Sequence, residues 1–152
     1  MTKSFAFLPP AGRAAHAIGV PLAEVVLKRF NTWAFKREQP SSLPGLLRAV
    51  EACIARAEPV GFVLYWGKGP RADLAAPDIA CLDHLAAMGH RIAAAYSEGA
   101  RFTLCLTDTH ARLNGHAEGA IDSYFDAVAM AARDRAMQTE RLSELVAAVS
   151  WD

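Results

Sequence analysis

The sequence of 152 residues contains no apolar run of the roughly 18 residues that a membrane-spanning helix requires. The apolar stretch within MTKSFAFLPPAGR is also too short for a signal peptide, so we expect a cytoplasmic protein. Neither sign of charge is in excess, since 16 Lys and Arg residues balance 16 Asp and Glu residues. Composition therefore gives no electrostatic argument for nucleic acid or an anionic membrane as a partner, and favours a small molecule or a protein.

Cysteine is scarce, and the three cysteines lie far apart in the chain. Cys53, Cys81 and Cys105 each fall among apolar neighbours in a predicted helix or strand, which is typical of buried thiols. A nucleophilic cysteine would need accessible, cationic surroundings. Internal repeats and low-complexity tracts are also lacking. We expect one α/β domain over residues 1–152, with residues 1–41 as a helical N-terminal segment that packs on it.

Apolar periodicity predicts two helices before the first strand. The first begins after Pro21 and uses the apolar positions of LAEVVLKRFNTW, and the second begins at Ser42 as a capping residue and ends before Pro59. The continuous apolar run VGFVLYW over residues 60–66 then predicts a strand that is buried on both faces.

The rest of the chain predicts an alternation of helices and a strand. An apolar stripe predicts a long helix from Asp78 to near Gly99, RFTLCLT over 101–107 predicts a second strand, and a further helix is expected over 119–137. The tail TERLSELVAAVSWD predicts a helix, with AAVSW as an alternative third strand. Strands joined through a helix pair in parallel, so we expect a Rossmann-like three-layer fold with a small, mostly parallel sheet flanked by helices.

The loop GKGPR follows the first predicted strand and contains Lys68 and Arg71. Glycines allow backbone N–H groups to approach an anion, while a lysine supplies a point charge and an arginine a bidentate fork suited to phosphate or carboxylate. The loop matches neither the Walker A motif nor the GxGxxG motif. An ordinary solvated turn is the alternative interpretation.

A second polar loop, DTHARLNGH, follows the second predicted strand. Asp108 and His110, with Asn114 and His116 beyond them, can furnish an acid/base pair, a substrate contact or a divalent-metal site. The spacing does not distinguish these uses, and Asp, Thr, Asn and Gly also form turns for conformational reasons. Ligands of parallel sheets bind beyond the carboxyl ends of the strands, so we expect this loop and GKGPR to share one rim of the sheet.

A third basic segment, FKREQP, lies between the first two predicted helices and carries Lys36 and Arg37. A solvated connection between helices explains it, and the alternative is that one of these cations reaches the same rim as a further anion contact.

The order of these motifs resembles the isonitrile synthase family, also called the pyoverdine/dityrosine biosynthesis proteins. The resemblance rests on a basic segment, a strand with a lysine-bearing loop, a Pro-Asp that opens a long helix, a Y-x-x-G-A hinge, and a strand that ends in aspartate. The matching positions are Lys36-Arg37, Lys68, Pro77-Asp78, Tyr96 to Ala100, and Asp108. The family has glycine after the final aspartate, where this chain has Thr109 and His110, and the likeness covers only the N-terminal half of a family member.

The resemblance implies that an amino acid and ribulose 5-phosphate are converted into an isonitrile, without a metal or redox cofactor. It implies Lys68 and Arg71, with Lys36, Arg37 and Asn114, as substrate-binding residues, and Asp108 and His110 as proton-transfer residues. A chain of this length would complete its cleft as a homo-oligomer or with a partner chain. It could be active, or a shortened, degenerate form; the alternative function is a small, non-catalytic α/β ligand-binding or accessory protein.

Overall fold

The computed structural model describes residues 20–31 and 41–149. The helices and strands within these ranges, in chain order, are α1 (Leu22–Phe30), α2 (Leu43–Ala55), β1 (Val60–Trp66), α3 (Ala76–Ala93), β2 (Ala100–Leu106), α4 (Asp108–Leu113), α5 (Glu118–Arg133), β3 (Gln138–Arg141) and α6 (Leu142–Ala147).

The three strands form one parallel sheet in the order β1-β2-β3. Strand β1 pairs with β2 over its whole length, from Val60↔Ala100 to Trp66↔Leu106, and β3 pairs with the second half of β2. Helices α3 and α5 make the crossovers that parallel pairing requires. The predicted α/β fold, with a small parallel sheet flanked by helices, is confirmed.

The core lies on one face of the sheet. Phe102, Leu104 and Leu106 of β2 pack with Leu82 of α3 and Phe125 of α5 in a cluster of buried apolar side chains. A second cluster joins the start of the same face to α1, α2 and the end of α3. Both clusters use the side chains that alternate onto this face, as the period of two along a strand requires.

The burial of strand β1 differs from the prediction. Its burial alternates along the strand, and the side chains of Val63 and Tyr65 are 73% and 72% exposed. The prediction of a strand buried on both faces was wrong because β1 lies at the edge of the sheet and no described helix covers its second face. The apolar run signalled a strand correctly, but periodicity cannot reveal which faces other elements cover.

Several predicted boundaries also change. Helix α3 begins at Ala76, with Pro77 in its first turn, and it ends at Ala93, well before the predicted Gly99. The segment DTHARLNGH was predicted as a loop but begins with helix α4. Ser42 stands at the N-cap of α2 as predicted, yet its side chain makes no capping hydrogen bond.

The end of the chain contains a strand that the sequence did not reveal. Strand β3 is Gln138–Arg141, upstream of the AAVSW segment that had been considered as a strand. QTER has Thr139 as its single β-branched residue and no aromatic residue, so its pairing with β2 determines its conformation. The predicted helix in the tail is confirmed over Leu142–Ala147.

The Y-x-x-G-A segment forms the connection from α3 to β2. The Tyr96 hydroxyl donates to the backbone oxygen of Glu58 at 2.9 Å, which ties this turn to the residues before β1. Gly99 has a φ of +66°, a backbone conformation that residues with a side chain rarely adopt, and its carbonyl accepts the first sheet hydrogen bond from Val60 N–H. The glycine therefore sets the register in which β1 and β2 begin.

Candidate functional site at the carboxyl-terminal rim

The predicted meeting of the two polar loops follows directly from the sheet register. Trp66 ends β1 and Leu106 ends β2, and the two are register partners. The Thr107 hydroxyl donates to the Trp66 carbonyl at 2.8 Å, so the loops leave the sheet side by side. Further out, a Cβ placed on Gly69 would lie 3.5 Å from His116 Nε2, which puts the GKGPR loop against the turn after α4.

Asp78 organises the first loop. Its carboxylate is fully buried, and its Oδ1 atom lies 2.9 Å from Lys68 Nζ, while Oδ2 lies 3.5 Å from an Arg71 guanidinium nitrogen. Oδ2 also accepts a hydrogen bond at 3.0 Å from the N–H of Ala75, the residue that precedes α3. We call Asp78, Lys68 and Arg71 the Asp78 cluster.

The cations of this cluster therefore have an internal counter-ion. Lys68 also donates to the Pro77 carbonyl at 3.2 Å, and its ammonium lies 4.8 Å from the centre of the Trp66 ring. Arg71 has the longer contact with Asp78 and a side chain that is 48% exposed. Arg71 is thus the cation with the most donors directed to solvent, whereas Lys68 is held in place from three sides.

Burial alone raises the pKa of Asp78, but the hydrogen bonds from Lys68 and Ala75 and the charges of Lys68 and Arg71 outweigh it and hold the pKa below its ordinary value. Asp78 is therefore a carboxylate at neutral pH. One carboxylate against two cations leaves the Asp78 cluster with one positive charge in excess, which suits one carboxylate or one phosphate oxygen pair of a ligand.

A buried aromatic pair packs on the core side of this loop. Trp66 Nε1 donates to the Tyr124 hydroxyl at 3.2 Å, and both side chains lie in the core. Burial raises the pKa of Tyr124, so its hydroxyl stays protonated. The pair connects the end of β1 to α5 and fixes the ring over which Lys68 lies.

Asp108 organises the second loop. Its fully buried carboxylate accepts hydrogen bonds from the backbone N–H of Ser143 at 3.0 Å, from the Ser143 hydroxyl, and from the Arg112 guanidinium at 2.8 Å. Burial raises the pKa of Asp108, but the bonds from Ser143 and Arg112 outweigh it and lower the pKa below its ordinary value. We call Asp108, Arg112 and Ser143 the Asp108 cluster, which joins the end of β2 to the start of α6.

The remaining predicted site residues lie around these clusters. His110 and Asn114 are exposed on α4 and at its end, and His116 follows them. Lys36 and Arg37 lie outside the described residues. Strand pairing thus brings Lys68, Arg71, Asp108 and His110 to neighbouring positions of one rim, and the roles predicted for them remain predictions.

Five residues of the rim were given no contact or role from the sequence. Asp78 was noted only as the start of a helix, although an acidic residue in a first helical turn is a known capping partner. Arg112 stands four residues after Asp108, a spacing that predicts an ion pair once DTHARL is recognised as a helix. Nothing in the sequence signals Ser143 or the Trp66–Tyr124 bond, because these partners are far apart in the chain.

Two features are absent from the part of the chain that the structure describes. It holds no group of three or more His, Cys, Asp or Glu side chains arranged to bind a metal ion. None of its helices has the length and apolarity needed to cross a membrane.

Comparison with known proteins gives a similarity to a solved structure. No protein-family model matches the sequence, and no curated protein matches it. Among solved structures, PvcA from Pseudomonas aeruginosa superposes with a TM-score of 0.64 at 22% sequence identity, over 84% of this chain and 47% of PvcA. The chain therefore spans about half the length of PvcA, and it shares the fold of that part of PvcA.

Proposed function

We propose that this chain is a relative of the isonitrile synthases that binds an amino acid and a sugar phosphate at the carboxyl-terminal rim. The amine condenses with the sugar carbonyl, one sugar carbon stays on the nitrogen as the isonitrile carbon, and the rest of the sugar phosphate is released by fragmentation. The observation that carries the proposal is the Asp78 cluster, in which a buried carboxylate holds two cations at the end of β1 with one positive charge in excess. Both substrates bear an anionic group that such a site can bind.

Two further observations support the proposal. The motifs that resemble the isonitrile synthases occupy connected positions, with Lys68 bonded to the Pro77-Asp78 pair and Asp108 at the end of the neighbouring strand. The similarity to PvcA, a protein of the isonitrile synthase type, also favours a relative of this family at low identity.

In this proposal, the substrate-binding residues are Arg71, Lys68 and Asn114, together with Lys36 and Arg37. Arg71 provides the bidentate contact to a phosphate or carboxylate because much of its guanidinium faces solvent. Lys68 provides a fixed positive charge.

His110 and Asp108 take different parts in the proton transfers. Condensing an amine with a sugar carbonyl releases water and needs a group that gives and takes protons near neutral pH, as an accessible histidine does. His110 is exposed on α4, whereas Asp108 is buried and fully engaged with Ser143 and Arg112. We therefore propose His110 as the proton carrier and Asp108 as the residue that positions α4.

The test is incubation of the protein with ribulose 5-phosphate and a mixture of amino acids, followed by mass spectrometry for isonitrile products. We expect a product with the native protein, little with Arg71→Gln or His110→Ala, and a native level with Arg133→Gln. Arg133 is an exposed arginine at the far end of α5, without an ion pair among the described residues, and so controls for the loss of one positive charge.

A second candidate function is a non-catalytic ligand-binding or accessory protein, because the Asp78 cluster can bind an anion without any proton transfer and the buried Asp108 is held by Ser143 and Arg112. Thermal shifts with either ligand, abolished by Arg71→Gln but accompanied by no product, would identify this function. If neither ligand shifts the melting temperature and no product forms, both functions are wrong.

A further inference from the structure

The second face of the sheet carries a surface that no described helix covers. Strand register assigns its side chains, because residues directly opposite each other in parallel strands point to the same side. We call this surface the open face; its members are Gly61, Val63 and Tyr65 of β1, Arg101 and Thr103 of β2, and Gln138 and Glu140 of β3. Cys105 of β2 points to the same side but is only 2% exposed, so it is not part of the open face.

An uncovered face is unusual for an all-parallel sheet, since such sheets are normally covered on both faces. No side chain of the open face belongs to either core cluster of the described residues. Val63 and Tyr65 are among the most exposed large apolar side chains of the described chain. Burying both would remove apolar surface from water, so this face is suited to contact another protein surface.

We propose that the open face binds the open face of a second copy of this chain, with the strands of the two sheets running in opposite directions. A two-fold axis across the strands, through Val63 and Thr103, generates this arrangement. It places Val63 against its own counterpart and the Tyr65 ring over Gly61 of the second copy, because these two residues are equidistant from the axis. A Cβ placed on Gly61 meets nothing within 4 Å, so the position has room for a ring.

The charges of the open face also complement each other in this arrangement. Arg101 lies at the start of β2, and Glu140 lies beside Cys105 at the opposite end of the face. Both are exposed, and neither forms an ion pair within the described residues. Reversing the second sheet places Arg101 of each copy one strand spacing, about 4.8 Å, away from the Glu140 position of the other copy, which is within reach of the two long side chains. An axis parallel to the strands would instead set Arg101 against Arg101, so charge selects the reversed orientation.

The area of the open face sets the expected strength of the dimer. Three strands spaced about 4.8 Å apart, with about 3.3 Å per residue over at most seven residues, offer about 330 Å² per copy. This is well below the roughly 800 Å² per partner of stable complexes, so the dimer should be weak and depend on concentration. We expect dimer to dominate at about 0.5 mM protein and monomer at about 1 µM.

Sedimentation equilibrium over this concentration range tests the proposal on the full chain. Tyr65→Asp should leave the protein monomeric throughout, with an unchanged circular dichroism spectrum. The matched control is Met130→Asp, which changes an exposed apolar residue on α5 away from the open face and should dimerise as the native protein does. A native protein that stays monomeric at about 0.5 mM, or a Tyr65→Asp variant that dimerises normally, would overturn the proposal.

Charge reversal separates a two-fold contact between copies from any other association. Arg101→Glu alone sets acidic side chains against each other, and Glu140→Arg alone sets basic ones together, so each variant should dimerise about tenfold or more weakly than the native protein. A mixture of the two variants restores two attractive contacts and should form the mixed dimer. A mixture that associates no better than either variant alone would refute the two-fold arrangement, even if the native protein is a dimer.

Discussion

The ion pair between Lys68 and Asp78 gives the sharpest prediction about how the rim is built. Lys68→Met keeps the apolar stem of the side chain and removes its charge, which leaves Asp78 with the Ala75 N–H at 3.0 Å and the longer Arg71 contact at 3.5 Å. Removing one partner of a fully buried pair costs about 3–5 kcal/mol, and an exposed pair contributes about 0–1 kcal/mol. Because Asp78 is fully buried and the Lys68 side chain is 32% exposed, we expect a loss of about 2 kcal/mol.

Thermal unfolding monitored by circular dichroism measures this loss, which corresponds to a melting temperature lower by about 4–8 °C. A double-mutant cycle with Asp78→Asn isolates the pair, and Lys28→Met, at an exposed lysine of α1, is the matched control. We expect a coupling energy of about 1–2 kcal/mol between Lys68 and Asp78. If the losses in unfolding free energy of the two single variants add up to that of the double variant within about 0.5 kcal/mol, Asp78 does not hold Lys68 and the Asp78 cluster is refuted.

Three further predictions test other contacts. Tyr124→Phe leaves the buried Trp66 N–H without its acceptor and should cost about 1–3 kcal/mol in a denaturant titration, less in a Trp66→Phe background. The free energy of unfolding should fall as pH drops below about 5, because the pKa values of Asp78 and Asp108 are lower in the folded than in the unfolded state. Asp78→Asn should make this fall less steep. A variant with the same dependence of stability on pH as the native protein would contradict the prediction. Gly99→Ala should destabilise by about 1–2 kcal/mol in the same titration because of its positive φ, and a neutral effect would contradict that reasoning.

Much of the fold follows from patterns that are local in the sequence. VGFVLYW and RFTLCLT are strands because apolar, β-branched and aromatic residues run together between turn residues, and their parallel pairing follows from the helix between them. The position of GKGPR at the carboxyl end of β1 follows from the same reasoning. Strand β3 could not be predicted, because the polar segment QTER is extended only through its contact with β2.

The sequence predicted where the candidate site lies, but not which residues contact each other there. The sequence identified Lys68 and Arg71 as cations on the rim, yet it gave no reason to expect that the buried Asp78 neutralises one of their charges. It marked Asp108 as a proton-transfer candidate, and the partners that lower its pKa include Ser143, 35 residues further along the chain. Burial and partners that are distant in the chain determine the pKa values of both carboxylates. Local spacing in the sequence reveals neither the burial nor these partners.

The most direct test of the central claim is isothermal titration calorimetry of ribulose 5-phosphate with the native protein, Arg71→Gln and the control Arg133→Gln. Arg71→Gln leaves the closer Lys68–Asp78 pair at 2.9 Å in place, so the variant should remain folded while it loses the exposed bidentate donor. The account predicts that ribulose 5-phosphate binds about tenfold or more weakly to Arg71→Gln than to the native protein and equally well to Arg133→Gln. Added inorganic phosphate should compete for the site and weaken the binding of ribulose 5-phosphate to all three proteins. Equal affinity in all three proteins, or no binding to the native protein, would contradict the claim that the rim binds an anionic ligand.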